Sequence, residues 1–189
     1  MNTSEAAEAH INVCPKRGSD WQAQIEHSVN GLSASNFENV NCVIHVAGGF
    51  VGGALKDGIS NVQQNWQMNG QSAFNATYIA SKVLQQGGLL SITGAAGALD
   101  KGLDYAVGYA MSKAATHSLV RSIAKDMKAL PEGSKIVCIT PTVIDTPANR
   151  KSMPNANFED WSKPDDIANM IVSWCTKEQP FPPDLFVKV

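Results

Sequence analysis

Tyr109 and Lys113 are the residues whose types and spacing best suit acid–base chemistry. Four residues make about one turn of a helix, so a helical segment places the phenol and the ammonium on one face. A phenol with a pKa of about 10 exchanges protons poorly at neutral pH, and a neighbouring cation lowers that pKa. The pair therefore suggests a tyrosine acid–base catalyst, although a surface tyrosine beside a solvated lysine has the same spacing.

Short apolar runs alternate with longer amphipathic runs, and this alternation predicts the elements that position the pair. We expect strands at 9–13, 42–46, 89–93, 135–140 and 185–189. We expect helices at 20–32, 61–86 and 105–129, and a last one that runs to 175 with Ser162 as its N-cap. Strands that are apolar on both faces and alternate with helices indicate an α/β fold with a parallel sheet covered on both sides.

Three of the predicted strands end in small or unusual residues, at Ala47, Thr93 and Pro141. In parallel α/β sheets, ligands bind beyond the carboxyl ends of the strands. We therefore expect the functional site at this edge of the sheet, with Tyr109 and Lys113 on the helix that follows the second of these strand ends.

Composition narrows the classes of function that fit. The 189 residues suit one domain, 1–189, and the net charge of −2 without charged blocks predicts neither nucleic-acid nor membrane binding. The four cysteines form no CxxC pair, which favours reduced thiols over a metal site or disulfides. The polar N-terminus resembles no signal peptide, so we expect a cytoplasmic protein.

Several segments resemble the short-chain dehydrogenase family. The run 107–115 contains the Tyr-x-x-x-Lys pair, 46–49 stands where the family has Asn-Asn-Ala-Gly, and Asn69 stands where it has a helix asparagine. The resemblance implies a Rossmann-like doubly wound sheet and a catalytic group of Tyr109, Lys113 and Asn69. It also implies a nicotinamide cofactor, held by Ala47, Gly48, Gly49, Thr93, Tyr109, Lys113, Pro141, Val143 and Thr146.

Two segments, 46–53 and 140–154, resemble the dihydropteridine reductase branch of that family. That branch lacks the serine that most members carry after the fifth strand, and here the run Thr93-Gly94-Ala95-Ala96 has none. The resemblance implies reduction of quinonoid dihydropterin to tetrahydropterin by NADH, with NADPH possible, and a homodimer formed by helices 61–86 and 105–129. It implies substrate contacts at Phe50, Tyr109 and Asn149; Phe50 replaces a tryptophan of the branch.

The resemblance begins past the family's first strand, glycine-rich turn, helix and second strand. We therefore expect a chain that lacks the first βαβ elements and, with them, the pyrophosphate cradle. Two alternatives stay open: a catalytically impaired form that acts only as a dimerisation partner, and a general carbonyl reductase, against which the missing serine argues. His45 and His117 are expected to have structural roles.

Overall fold

A computed structural model describes residues 21–34 and 39–189, and its centre is a parallel sheet of four strands. The strands are β1 (Val40–His45), β2 (Leu84–Thr93), β3 (Lys135–Thr140) and β4 (Phe186–Lys188), in the order β1-β2-β3-β4. The described helices are α1 (Trp21–Ala34), α2 (Ile59–Asn65), α3 (Ser72–Val83), α4 (Gly97–Asp100), α5 (Val107–Lys125), α6 (Pro147–Ser152) and α7 (Pro164–Cys175).

Apolar cores form on both faces of the sheet because successive strand residues point to opposite sides. Leu90 and Ile92 of β2 pack in one core with residues of α3 and α5, including Ala80 and Val120. Leu89, one residue earlier, packs in the other core with Ile171 of α7. The predicted α/β class and the sheet covered on both sides are confirmed.

The predicted helix 61–86 is wrong in its middle and at its end. α2 passes into a π-helical turn, Trp66–Gln71, before α3 begins, and α3 ends at Val83. The last residues of the predicted helix lie inside β2, which starts at Leu84 instead of 89. Leu84 is buried and pairs with Val40, and the register then shifts, so tertiary pairing overrides the helical pattern of these residues.

Other boundaries need smaller corrections. The helix predicted at 105–129 is α5, which ends at Lys125 and is followed by a 3₁₀ turn, Met127–Ala129. α7 begins at Pro164 after Lys163, so Ser162 is not its N-cap, and no side chain caps this helix. The stretch between β3 and α7, for which no element is predicted, contains α6.

The remaining predicted elements lie close to their observed positions. α1 covers the helix expected at 20–32, β1 the strand at 42–46 and β4 the strand at 185–189, and β3 has the predicted bounds. The strand expected at 9–13 lies outside the described residues. Among the residues that the structure describes, no helix is long and apolar enough to cross a membrane.

Candidate active site

α5 presents Tyr109 in its first turn, because the start of this helix packs closely against α2. A Cβ added at Gly108 would lie 2.8 Å from the Cα of Val62, so only glycine fits between the two backbones. The Ala106–Gly53 bridge fixes the residue just before the helix to the loop that follows β1. This contact places Tyr109 and Lys113 beside the carboxyl ends of β1 and β2.

Lys113 is a buried cation, with 4% of its surface exposed. Its Nζ donates a hydrogen bond to the carbonyl of Thr93 at 2.9 Å, which ties α5 to the end of β2. Burial lowers the pKa of Lys113 to about 8 because the charged form loses hydration. At neutral pH the ammonium still carries its charge, close to the strand ends.

Tyr109 is half-buried beneath the ring of Phe50. The two rings meet edge to face, with centroids 4.9 Å apart and planes at 64°. Burial raises the pKa of Tyr109, and the neighbouring Tyr105 raises it further. The expected lowering of the Tyr109 pKa is not found, because loss of hydration dominates the shift.

Asn69 lies in the π-helical turn and is fully buried. Its amide donates to the carbonyl of Gly49 at 3.0 Å and accepts the N–H of the same residue at 3.2 Å. It also donates to the Oγ of Ser112 at 3.2 Å, and that hydroxyl donates to the carbonyl of Tyr109. Asn69 therefore joins the loop after β1 to the helix that carries the tyrosine.

Thr93 uses its hydroxyl inside the protein, where it donates to the carbonyl of His45 at 2.7 Å. His45 itself is buried, and its Nε2 lies 2.9 Å from the hydroxyl of Ser72. Burial, aided by the charge of Lys113, lowers the pKa of His45 to about 4. Lys113 is thus the charged member of this pair at neutral pH.

The loop residues predicted to line a cofactor lie beside Asn69 and Lys113. Ala47 and Gly48 are exposed after β1, and Thr93 ends β2 beside them. A Cβ added at Gly48 would lie 3.0 Å from the Oδ1 of Asn69 and 3.6 Å from the Nζ of Lys113. The absent side chain leaves a cradle next to the ammonium, and Nζ has two further hydrogens to donate there. These groups fit the hydroxyls of a nicotinamide ribose.

The polar side chains of Thr146 and Asn149, after β3, form hydrogen bonds within their own segment. Thr146 caps α6 by accepting the N–H of Asn149 at 3.2 Å, and its hydroxyl hydrogen stays available. The side chain of Asn149 donates to the carbonyl of Ile144 at 2.8 Å. Pro141 is buried and Val143 half-buried at the end of β3. Neither of these hydrogen bonds of Asn149 reaches Tyr109 or Phe50.

Sequence reasoning missed Asn65, Asn61 and Ser112, all of which contact the loop or the helix of the tyrosine. The spacing of Asn61, Asn65 and Asn69 at four-residue intervals was a usable signal, because residues so spaced share one helix face.

Both the sequence and the fold resemble those of known proteins. A family model described as enoyl-(acyl carrier protein) reductase matches residues 20–181. A dihydropteridine reductase of Dictyostelium discoideum is 37% identical over 163 residues, which are 85% of this chain and 70% of that protein. A mutant short-chain dehydrogenase/reductase of Serratia marcescens superposes with a TM-score of 0.72 at 20% identity, over 90% of this chain and 71% of the other. BdcA in complex with NADPH gives 0.67 at 19% identity, over 87% and 69%.

The family model and the Dictyostelium relative show that the chain belongs to the short-chain dehydrogenase/reductase family, and it is an oxidoreductase of that family. Within the family, the predicted resemblance to dihydropteridine reductase is confirmed by the Dictyostelium relative.

Proposed function

We propose that this protein catalyses the reduction of quinonoid dihydropterin to tetrahydropterin, with NADH as the hydride donor. The observation that carries the proposal is the half-buried phenol of Tyr109. Its ring lies against the apolar ring of Phe50, on the same helix as the buried Lys113. The 37% identity to a protein named dihydropteridine reductase supports the choice of substrate.

The cofactor would lie along the loop 47–49 and the ends of β2 and β3. Lys113 and the phenol of Tyr109 would bind the nicotinamide ribose in the cradle beside Gly48. Val143 and Thr146 would lie near the nicotinamide amide. When bound, the dinucleotide supplies a hydride. Complexes of similar solved structures hold NADPH, NADP or 5-hydroxy-NADP, and NADPH is the alternative donor.

Tyr109 would supply the proton that accompanies the hydride. A donor must be protonated before the reaction, and the raised pKa of Tyr109 keeps its phenol neutral at physiological pH. The product then gains one hydride from the cofactor and one proton from the phenol, which is reprotonated from water. Lys113 would stabilise the phenolate that remains, and Asn69 holds the backbone of Tyr109 through Ser112.

Phe50 gives the site an apolar, exposed ring, and 57% of its surface is accessible. A planar heterocycle such as a pterin would stack on this ring, because offset aromatic contacts are favourable. A ketone substrate fits less well. The hydroxyl of Thr93 is bonded to the backbone, and Gly94 and Ala95 carry no group that polarises a carbonyl.

We further propose that two copies associate through α2, α3 and α5, within the predicted ranges 61–86 and 105–129. α5 exposes small residues at successive turns, Ala114 and Ser118, which would allow close approach of a second helix. Met111 on the same helix is 47% exposed, so part of its apolar surface is available for burial.

The experiment that tests the proposed function follows NADH oxidation in the presence of quinonoid dihydropterin. Replacing Tyr109→Phe removes the proton and keeps the ring, and we expect turnover to fall by about 100-fold or more. Tyr78→Phe, on an exposed tyrosine of α3, is the matched control and should leave turnover unchanged. Undiminished turnover in Y109F, or no pterin-dependent oxidation by the wild type, would contradict the proposal.

A further inference from the structure

Three asparagines at four-residue intervals, Asn61, Asn65 and Asn69, line one side of α2 and the π-helical turn that continues it. Each of their amides contacts the loop residues 49–53, called here the clamp segment. Residues four apart lie above one another on a helix, so the three amides follow the segment in order along its length.

Asn65 holds Val51 at two points. The N–H of Val51 donates to Oδ1 at 3.1 Å, and Nδ2 donates to the carbonyl of Val51 at 2.8 Å. The second hydrogen of Nδ2 goes to the carbonyl of Asn61, also at 2.8 Å. These bonds use both amide hydrogens and the oxygen, so Asn65 is satisfied although it is fully buried.

Asn69 repeats the two-point contact on Gly49, and Asn61 donates to the carbonyl of Gly52 at 3.0 Å. Phe50 therefore lies between two residues whose N–H and carbonyl are both anchored to the helix. More than half of the surface of Phe50 is exposed, so side-chain packing alone holds it weakly. The backbone anchors are the stronger constraint on where this ring lies.

We propose that Asn65 is a positioning residue, which fixes the clamp segment so that the Phe50 ring rests on Tyr109 and faces the pterin. The inference rests on the proposed function for the identity of the substrate. Only a neutral amide of this length supplies both the acceptor for the N–H of Val51 and the donor for its carbonyl. A carboxylate or an apolar side chain leaves one or both of these backbone groups without a partner.

The test compares Asn65→Leu with Gln64→Ala, a control on the exposed side of α2 whose side chain bonds only to Ser60 within the described residues. We expect amide hydrogen exchange of 49–53 to quicken by about tenfold or more in N65L, since two bonds of modest net strength are lost. Asn61→Ala removes one bond at a partly exposed position, so it folds more readily and should give a smaller increase. Unchanged exchange in both variants overturns the inference.

Kinetics separate positioning from general stability. In N65L the KM for quinonoid dihydropterin should rise about tenfold while the KM for NADH changes little. The same substitution in the F50L background should change the pterin KM by less than about twofold, because the ring that it positions is gone. Equal effects in the two backgrounds contradict a role through Phe50. If the wild type has no pterin-dependent activity, the proposed function is wrong. Hydrogen exchange alone then tests whether Asn65 anchors the clamp segment.

Discussion

At the scale of single residues, burial sets the protonation states of the site. Tyr109 loses hydration and holds its proton more tightly, while Lys113 loses hydration and holds its proton less tightly. The two pKa values therefore shift in opposite directions. At neutral pH, Tyr109 is a protonated acid that can donate, and Lys113 is still a cation. The sequence predicted that Tyr109 and Lys113 share one helix, but it could not predict the direction of the tyrosine pKa shift, because that depends on how deeply the phenol is buried.

The first prediction concerns the pH dependence of the reaction. The pKa of Lys113 is about 8, so the fraction of charged ammonium falls as pH rises through that value. We expect kcat/KM for NADH to decline above about pH 8 and to stay level between pH 5 and 7, because the pKa of His45 is near 4. Lys113→Arg, which keeps its charge, should remove the decline. If kcat/KM for NADH instead changed around pH 6.5, the titrating group would be a histidine.

At the scale of elements, the site depends on how closely helices approach each other and the loop after β1. α2 and α5 meet at Gly108, and α2 meets the clamp segment through its asparagines. The alternating apolar pattern predicted that two long helices occupy these ranges. It could not show the π-helical turn at Trp66–Gln71, because a change of helical pitch leaves no mark in apolar spacing.

The second prediction tests the contact between these helices. Gly108→Ala places a Cβ 2.8 Å from the Cα and 3.1 Å from the N of Val62, and these backbone atoms cannot rotate away. We expect the free energy of unfolding to fall by about 1–3 kcal/mol. Gly102→Ala is the control, because no atom lies within 4 Å of the added Cβ. Urea titrations of both variants measure the difference, and equal midpoints would show that α5 can shift without cost.

At the scale of the whole molecule, the sheet and its covering helices followed from apolar alternation, and the strand ends predict that the site lies at one edge of the sheet. Small or unusual residues end three strands, at Ala47, Thr93 and Pro141, and the parallel arrangement brings them to one edge. The start of β2 was not predictable in this way. Leu84 to Gly88 becomes part of a strand only because β1 lies beside it, which is a long-range contact.

The third prediction concerns assembly. If α5 pairs with a second copy, the wild type should sediment at twice its mass of 20.2 kDa. Ser118→Arg puts a long charged side chain on the proposed contact and should yield monomers. Val172→Arg is an equal change at a position that is 50% exposed, on α7, which packs on the other face of the sheet; it should leave the dimer intact. A wild type that sediments as a monomer at micromolar concentration would refute this assembly.

The burial of Asn69 also affects how this protein ages. Asn69 is followed by Gly70, and a side-chain amide next to glycine is among the most thermolabile groups in proteins. While the π-helical turn is folded, the amide is engaged on Gly49 and Ser112, and its carbon is shielded from attack by the next backbone nitrogen. Each time the protein unfolds, the side-chain carbon of Asn69 loses this protection. Deamidation would then put an acid where the loop needs a donor, so repeated heating would make inactivation irreversible even where the chain refolds.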